Sequence, residues 1–326
     1  MRSQTPRSLV AAIAGLVLLA VPVALPGVLA EGQLATATDQ APRVRPSADS
    51  TPSAVPQERE RAAQRVELPG GGTKVFGHRR FLTAYYGTAG TGVLGVLGET
   101  DIDAAHERVV KAGQPFLRNG ELLLPVYELI VTVADAGPGD DGDFSHDISH
   151  RLVEPYVRAA RRNGALLVLD LQPGRSDFLT VAKRWRWALE KPYVGLALDP
   201  EWRMGPREVP GRTIGQVSAK EVNRVSAWLA GIVEERNLPE KVFMLHQFRS
   251  DMIPDIHRVK AREGLALVQH VDGFGNPGQK LATYHAVARP KLFTMGFKLF
   301  YDEDRPRMTA QAVRRVTPPV RFVSFQ

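Results

Sequence analysis

The sequence predicts an α/β protein: a (β/α)8 TIM-type barrel preceded by a signal peptide and a disordered linker. Eight short β-rich apolar runs follow one another after Arg79, and segments with apolar residues at helical spacing separate the earlier ones. Polar residues collect at the C-terminal ends of those runs, which is where a barrel of this kind carries its chemistry.

The elements follow in order. Residues 1–30 carry Arg2 and Arg7, then an apolar run from Leu9 to Leu25, then Pro26-Gly27 and the small-residue end Val28-Leu29-Ala30. This order reads as a secretory signal peptide. An uncleaved membrane anchor is the rival, although Pro22 interrupts the run and its length is at the lower limit of the roughly 17–25 residues that span a bilayer. From Glu31 to Arg79 the chain is Pro, Ser, Thr, Ala and charge without periodicity, which predicts a flexible tether (31–79) outside the membrane, with a short helix around Glu58 to Val66. The barrel domain then occupies 80–326.

The predicted strands are Phe81–Gly87, Leu123–Val131, Ala165–Leu171, Val194–Asp199, Lys241–Phe248, Leu265–Asp272, Leu292–Lys298 and Val320–Phe325. Between the first two, Ile102, Ala105, Val109 and Ala112 recur at helical spacing; Ile148, Leu152, Tyr156 and Ala160 do so between the second and third. Phe178, Val181, Trp185 and Ala188 continue the series, as do Val222, Val225, Leu229 and Ile232. Ser218 with Glu221 has capping-box spacing, and Asn119-Gly120 and Asn163-Gly164 supply left-handed stops before strands. Pro254 and Pro306 predict short or broken helices late in the chain. An open doubly wound sheet is the alternative, but the glycines after the first run (Gly87, Gly90, Gly92, Gly95) lack the dinucleotide spacing.

Composition narrows the function classes. With 44% hydrophobic residues the chain can fill a real core, and with no Cys it has neither disulfides, thiolate metal sites nor a cysteine nucleophile. Two of the seven net positive charges belong to Arg2 and Arg7, and the remainder is scattered, so nucleic acid is not an expected partner. A weak attraction to an anionic envelope surface is the most it supports.

The strand ends carry Tyr85 and Tyr86, Glu128, Asp170 and Gln172, Asp199 and Glu201, His246 and Gln247, His270 and Asp272, and Lys298. Glu128 is followed by Leu129-Ile130-Val131 and belongs either to the rim or inside its strand. The sharpest segment is Gly195-Leu196-Ala197-Leu198-Asp199-Pro200-Glu201-Trp202. In an extended chain Asp199 and Glu201 point the same way, and paired carboxyls raise one proton affinity, as a general acid requires. Trp202 beside them suits the C–H face of a sugar ring.

This segment resembles the fourth-strand signature of family-18 chitinases and related glycoside hydrolases, Asp-Gly-x-Asp-x-Asp-x-Glu, with Gly195, Asp199 and Glu201 on its positions. The resemblance implies Glu201 as general acid and Asp199 as the group that orients a substrate acetamido nucleophile. Ala197 stands where the signature has Asp, and Met295-Gly296-Phe297 lacks the family's Tyr. The Asp-x-Glu pair also resembles that of family-25 muramidases, which cut peptidoglycan.

The expectation is a secreted glycosidase peripheral to the cell envelope, acting as a monomer on a polysaccharide or peptidoglycan-like glycan, without cofactor or metal. Catalysis falls to Glu201 with Asp199, Asp170 or Asp272; Tyr85, Tyr86, Glu128, Gln172, Trp202, His246, Gln247 and Lys298 would bind substrate. Arg203 is a candidate for a substrate carboxylate or a partner for an acid. The rivals are a catalytically degenerate glycan-binding barrel and a metal-dependent hydrolase built on His246, Asp170, Asp199 and Glu201. His146 and His150 at helical i, i+4 spacing, and Asp140, Asp141 and Asp143, are weaker metal candidates.

Overall fold

The computed structural model describes residues 66–326. The predicted signal peptide and most of the predicted tether, with its predicted Glu58 to Val66 helix except for Val66 itself, lie outside the described residues.

Eight parallel strands close into a barrel: β1 (Arg80–Gly87), β2 (Leu122–Ala134), β4 (Leu166–Leu171), β5 (Val194–Leu198), β6 (Lys241–His246), β7 (Leu265–Val271), β8 (Thr294–Leu299) and β9 (Val320–Phe325). Their order is β1-β9-β8-β7-β6-β5-β4-β2, and β1 pairs with β2 to complete the ring. All eight predicted runs are therefore barrel strands. The ninth strand, β3 (Ser145–Asp147), was not anticipated; it pairs antiparallel with the end of β2, outside the ring.

The helices are α1 (Ile102–Gly113), α2 (His150–Arg162), α3 (Phe178–Arg184), α4 (Arg186–Leu189), α5 (Ala219–Glu235), α6 (Pro277–Val287) and α7 (Ala310–Arg314). Gly120 and Gly164 take positive φ before β2 and β4, as the Asn-Gly pairs predict. Where Pro254 falls, two three-residue 3-10 turns connect β6 to β7, and α7 has only five residues. The expected capping box at α5 is half formed. Ser218 accepts the Glu221 N–H, but the Glu221 carboxylate instead receives the Phe178 N–H (2.9 Å) and Arg203 Nε (3.0 Å).

Both faces of the parallel strands are buried, which is why they read as apolar runs. Odd-numbered side chains such as Leu167, Leu169 and Leu245 pack outward against the helices, while Leu82, Val126, Val168, Met244 and Phe322 fill the N-terminal half of the interior.

The same interior cluster includes Leu68 and Val75, and this corrects the predicted tether boundary. Residues 66–79 are not a free linker but a strap closing the N-terminal end of the barrel. Buried Arg80 explains how a Gly- and Pro-rich stretch is held there: its guanidinium donates to the carbonyls of Pro69 (3.1 Å), Gly71 and Lys74 (3.0 Å). Glu240 adds a second clasp, accepting the Val75 N–H at 2.8 Å while its own N–H donates to Thr73 O at 2.9 Å.

Candidate functional site

Above the apolar half of the interior, the even-numbered positions turn polar. Tyr86, Glu128, Asp170, His246, His270, Lys298 and Ser324 come from seven different strands and are all buried. Glu128 is thus inside its strand, opposite Tyr86 in register, and its side chain enters the pit instead of the rim. Small neighbours make room: a Cβ added at Gly296 would lie 3.0 Å from the His270 ring.

The contacts form one network. Tyr86 donates to Asp170 Oδ2 at 2.8 Å, and Gln172 Nε2 donates to the Tyr86 hydroxyl at 3.3 Å. His246 is flanked by Asp272 Oδ2 at Nδ1 (3.0 Å) and by Glu128 Oε1 at Nε2 (3.0 Å), with Asp170 Oδ1 at 3.8 Å. His270 Nδ1 is 3.6 Å from the same Glu128 oxygen, and its Nε2 is 3.1 Å from Ser324 Oγ. Lys298 Nζ sits 3.5 Å above the Tyr86 ring.

Asp199 and Glu201 are not in an extended segment. β5 ends at Leu198, and Asp199 caps a 3-10 turn over Pro200–Trp202, accepting the Glu201 N–H at 3.3 Å. Glu201 and Trp202 are partly exposed at the mouth, whereas Asp170, Asp199 and Asp272 are buried.

Burial first, and then the charge of Asp272, pushes the Glu201 carboxyl up to about 7. Burial likewise raises Asp199 well above the usual carboxylate range; His246 opposes this, while Asp170, Glu201 and Asp272 add to it. Asp170 is raised to about 6 by burial and by the charge of Glu128, with His246 opposing. For Glu128 burial also works upward, but His270 and His246 outweigh it and hold the carboxylate below its ordinary range. His246 goes the other way: burial would lower it, yet its acidic flanks raise it well above the usual imidazole value.

Of the residues expected from sequence, the structure brings Tyr86, Glu128, Asp170, Gln172, Asp199, Glu201, His246, Asp272 and Lys298 to this end of the barrel. It does not bring Tyr85 or Gln247. Tyr85 faces outward, edge-on to Tyr301 and Phe325, with its hydroxyl 3.2 Å from that of Tyr301. Gln247 is buried behind the sheet, where its amide accepts from Gln269 (2.7 Å) and donates to Arg249 O (3.0 Å). Arg203 pairs with Glu221 instead of pointing at a ligand.

The weaker metal candidates dissolve. His146 lies in β3, exposed and 2.7 Å from Asp135, while His150 begins α2 and packs between Trp185 and Trp187, so the two share no helix face. Asp143 spends its carboxylate on Ser145 and Ser176. Sequence reasoning undervalued His270 and missed Ser324 and Phe274. A serine on the even phase of β9 was the only signal for the second; the third is a large aromatic, 46% exposed, two residues beyond Asp272.

The fold and the pit together define a (β/α)8 barrel with a buried acid–imidazole network under its C-terminal mouth. No family model matches the chain, and no curated protein does either.

Proposed function

We propose that the protein is a glycoside hydrolase acting on an extracellular or cell-wall polysaccharide, with Glu201 as the general acid. One observation carries the reading. Four carboxyls, Asp170, Asp199, Glu201 and Asp272, gather from three strands at one barrel mouth, and Glu201 alone among them is partly open to solvent. A carboxyl whose proton affinity is raised to about 7 is protonated in about half of the molecules at neutral pH and can donate that proton to a leaving glycosidic oxygen. Asp272 is the second carboxylate. Its Oδ2 is committed to His246, and its Oδ1 has no partner, which leaves that oxygen for a nucleophilic or base role.

Trp202 and the exposed face of Phe274 would stack on sugar rings at the rim, and Lys298 and Gln172 would meet hydroxyls. The local resemblance to chitinases and muramidases and the leader-like residues 1–30 both favour a wall glycan, met outside the cell by a single chain. The test pairs two substrates. Glu201→Ala should slow hydrolysis of a wall polysaccharide by ~10²-fold or more, and far less for an aryl glycoside whose leaving group needs no proton. Equal losses on both substrates, or none, would remove Glu201 from the acid role.

A further inference from the structure

We propose that Glu128, His246 and His270 hold one divalent cation of the zinc class inside the barrel, with Asp170 as the fourth donor. The proposal is independent of the glycosidase reading and concerns the buried layer beneath Glu201.

Geometry is the first argument. One ligand atom from each of Glu128, His246 and His270 lies within 4.8 Å of the others. Glu128 Oε1 is 3.0 Å from His246 Nε2 and 3.6 Å from His270 Nδ1, and Asp170 Oδ1 is 3.8 Å from His246 Nε2. Donors around a tetrahedral zinc, with bonds of ~2.0–2.2 Å, stand about 3.3–3.6 Å apart. The Glu128–His270 contact already has that spacing and the Glu128–His246 contact needs a small spreading, while Asp170, which is not one of the three mutually close donors, must turn inward to complete the set.

The second argument is which atoms are satisfied. Three of the four side chains have one atom held and another bare, and Glu128 has both oxygens bare. His246 Nδ1 is bound to Asp272, His270 Nε2 to Ser324 and Asp170 Oδ2 to Tyr86. His246 Nε2, His270 Nδ1, Asp170 Oδ1 and both Glu128 oxygens are buried without a hydrogen bond. The 3.0 Å approach of Glu128 to His246 is therefore a contact without hydrogen-bond alignment. Anchoring the outer nitrogen of an imidazole to a carboxylate or hydroxyl, so that the inner lone pair faces a common point, is what metal sites use to orient their histidines. Two imidazoles with carboxylates, and no thiolate, suit zinc and its transition-metal neighbours over calcium or magnesium. With all four donors fully buried the site is of the closed, structural kind.

The competing occupant is a proton, making His246 an imidazolium between Glu128 and Asp272. Metal content of the purified full chain, followed by cobalt(II) titration of the chelator-treated protein, separates the two. The expected result is one equivalent of metal per chain, visible absorption bands of four-coordinate cobalt, and a Tm that rises on adding zinc and falls with EDTA. Ser324→Ala, which leaves every donor in place, should weaken metal affinity ~10-fold or more. Substoichiometric metal, no cobalt bands and a Tm indifferent to zinc in the unmodified protein would overturn the site in favour of the proton. No arm reads hydrolysis, so a failure here leaves the role of Glu201 to its own test.

Discussion

Asp199 accepts the backbone N–H of Glu201, so the buried acid at the end of β5 fixes the turn that carries the partly exposed one. That short link makes the rim carboxyl a positioned group and keeps it within reach of the charge of Asp272, one of the two causes of its raised proton affinity.

The pH dependence follows with a definite sign. A general acid works protonated, so kcat/KM on a wall polysaccharide should fall as pH rises through about 7, and Glu201→Gln should abolish that limb. Stability should move with it. The folded protein keeps a proton that the unfolded chain has already released above the ordinary Glu range, so folding weakens as pH climbs from about 4.5 to about 7. Glu201→Gln removes this liability and should raise stability at pH 8 by on the order of 2 kcal/mol, with little change at pH 4, in paired urea titrations.

The ring and the hydroxyl of Tyr86 make separable interactions, and substitution can divide them. Phenylalanine keeps the ring under Lys298 and loses both the bond to Asp170 and the one from Gln172, leaving a second oxygen of that buried carboxyl bare. Tyr86→Phe should cost about 1–3 kcal/mol in urea unfolding, and Tyr86→Ala more, because the cation–π contact and the packed ring go as well.

Tyr85 and Tyr86 also mark what could and could not be read from the sequence. The eight strands were legible because a parallel barrel buries both faces and each strand becomes an apolar run. The same cause hides the phase: with no polar face, nothing in the run says whether Tyr85 or Tyr86, His246 or Gln247, looks inward. Phase appears only through contacts between distant strands, such as Tyr86 with Asp170 or Ser324 with His270. Asp199 and Glu201 were found for their spacing, although Pro200 turns the chain there and an extended pair does not exist. The strap was invisible for another reason: its order comes from Arg80 and Glu240, which lie outside it.

Phe274 tests the sugar-stacking role at the rim with little risk to folding. Its ring is exposed and held edge-on to Phe300 at 6.0 Å, a position that presents one face outward beyond Asp272. Phe274→Ala should raise KM for a polysaccharide about 2–10-fold, the worth of one aromatic contact, and leave kcat unchanged. A change in kcat without KM would place the ring elsewhere in the reaction.

The strap makes the sharpest prediction about domain limits. A chain starting at Gln64 contains the whole compact unit, including Leu68 and Val75, whereas one starting at Arg80 retains every strand but opens the N-terminal end of the barrel. The second truncation bares the apolar layer of Leu82, Val126 and Phe322 and leaves the Arg80 guanidinium, which is buried in the intact protein, without its three carbonyl partners. Thermal unfolding should therefore find the chain from Gln64 cooperative and the chain from Arg80 unfolded or aggregating. Leu68→Ala in the full chain gives the graded version: a side chain only 3% exposed, removed from a packed interior, should cost about 2–5 kcal/mol. Because the strap and the polar pit occupy opposite ends of the barrel, the loss should appear in stability while kcat/KM of the protein that remains folded stays unchanged.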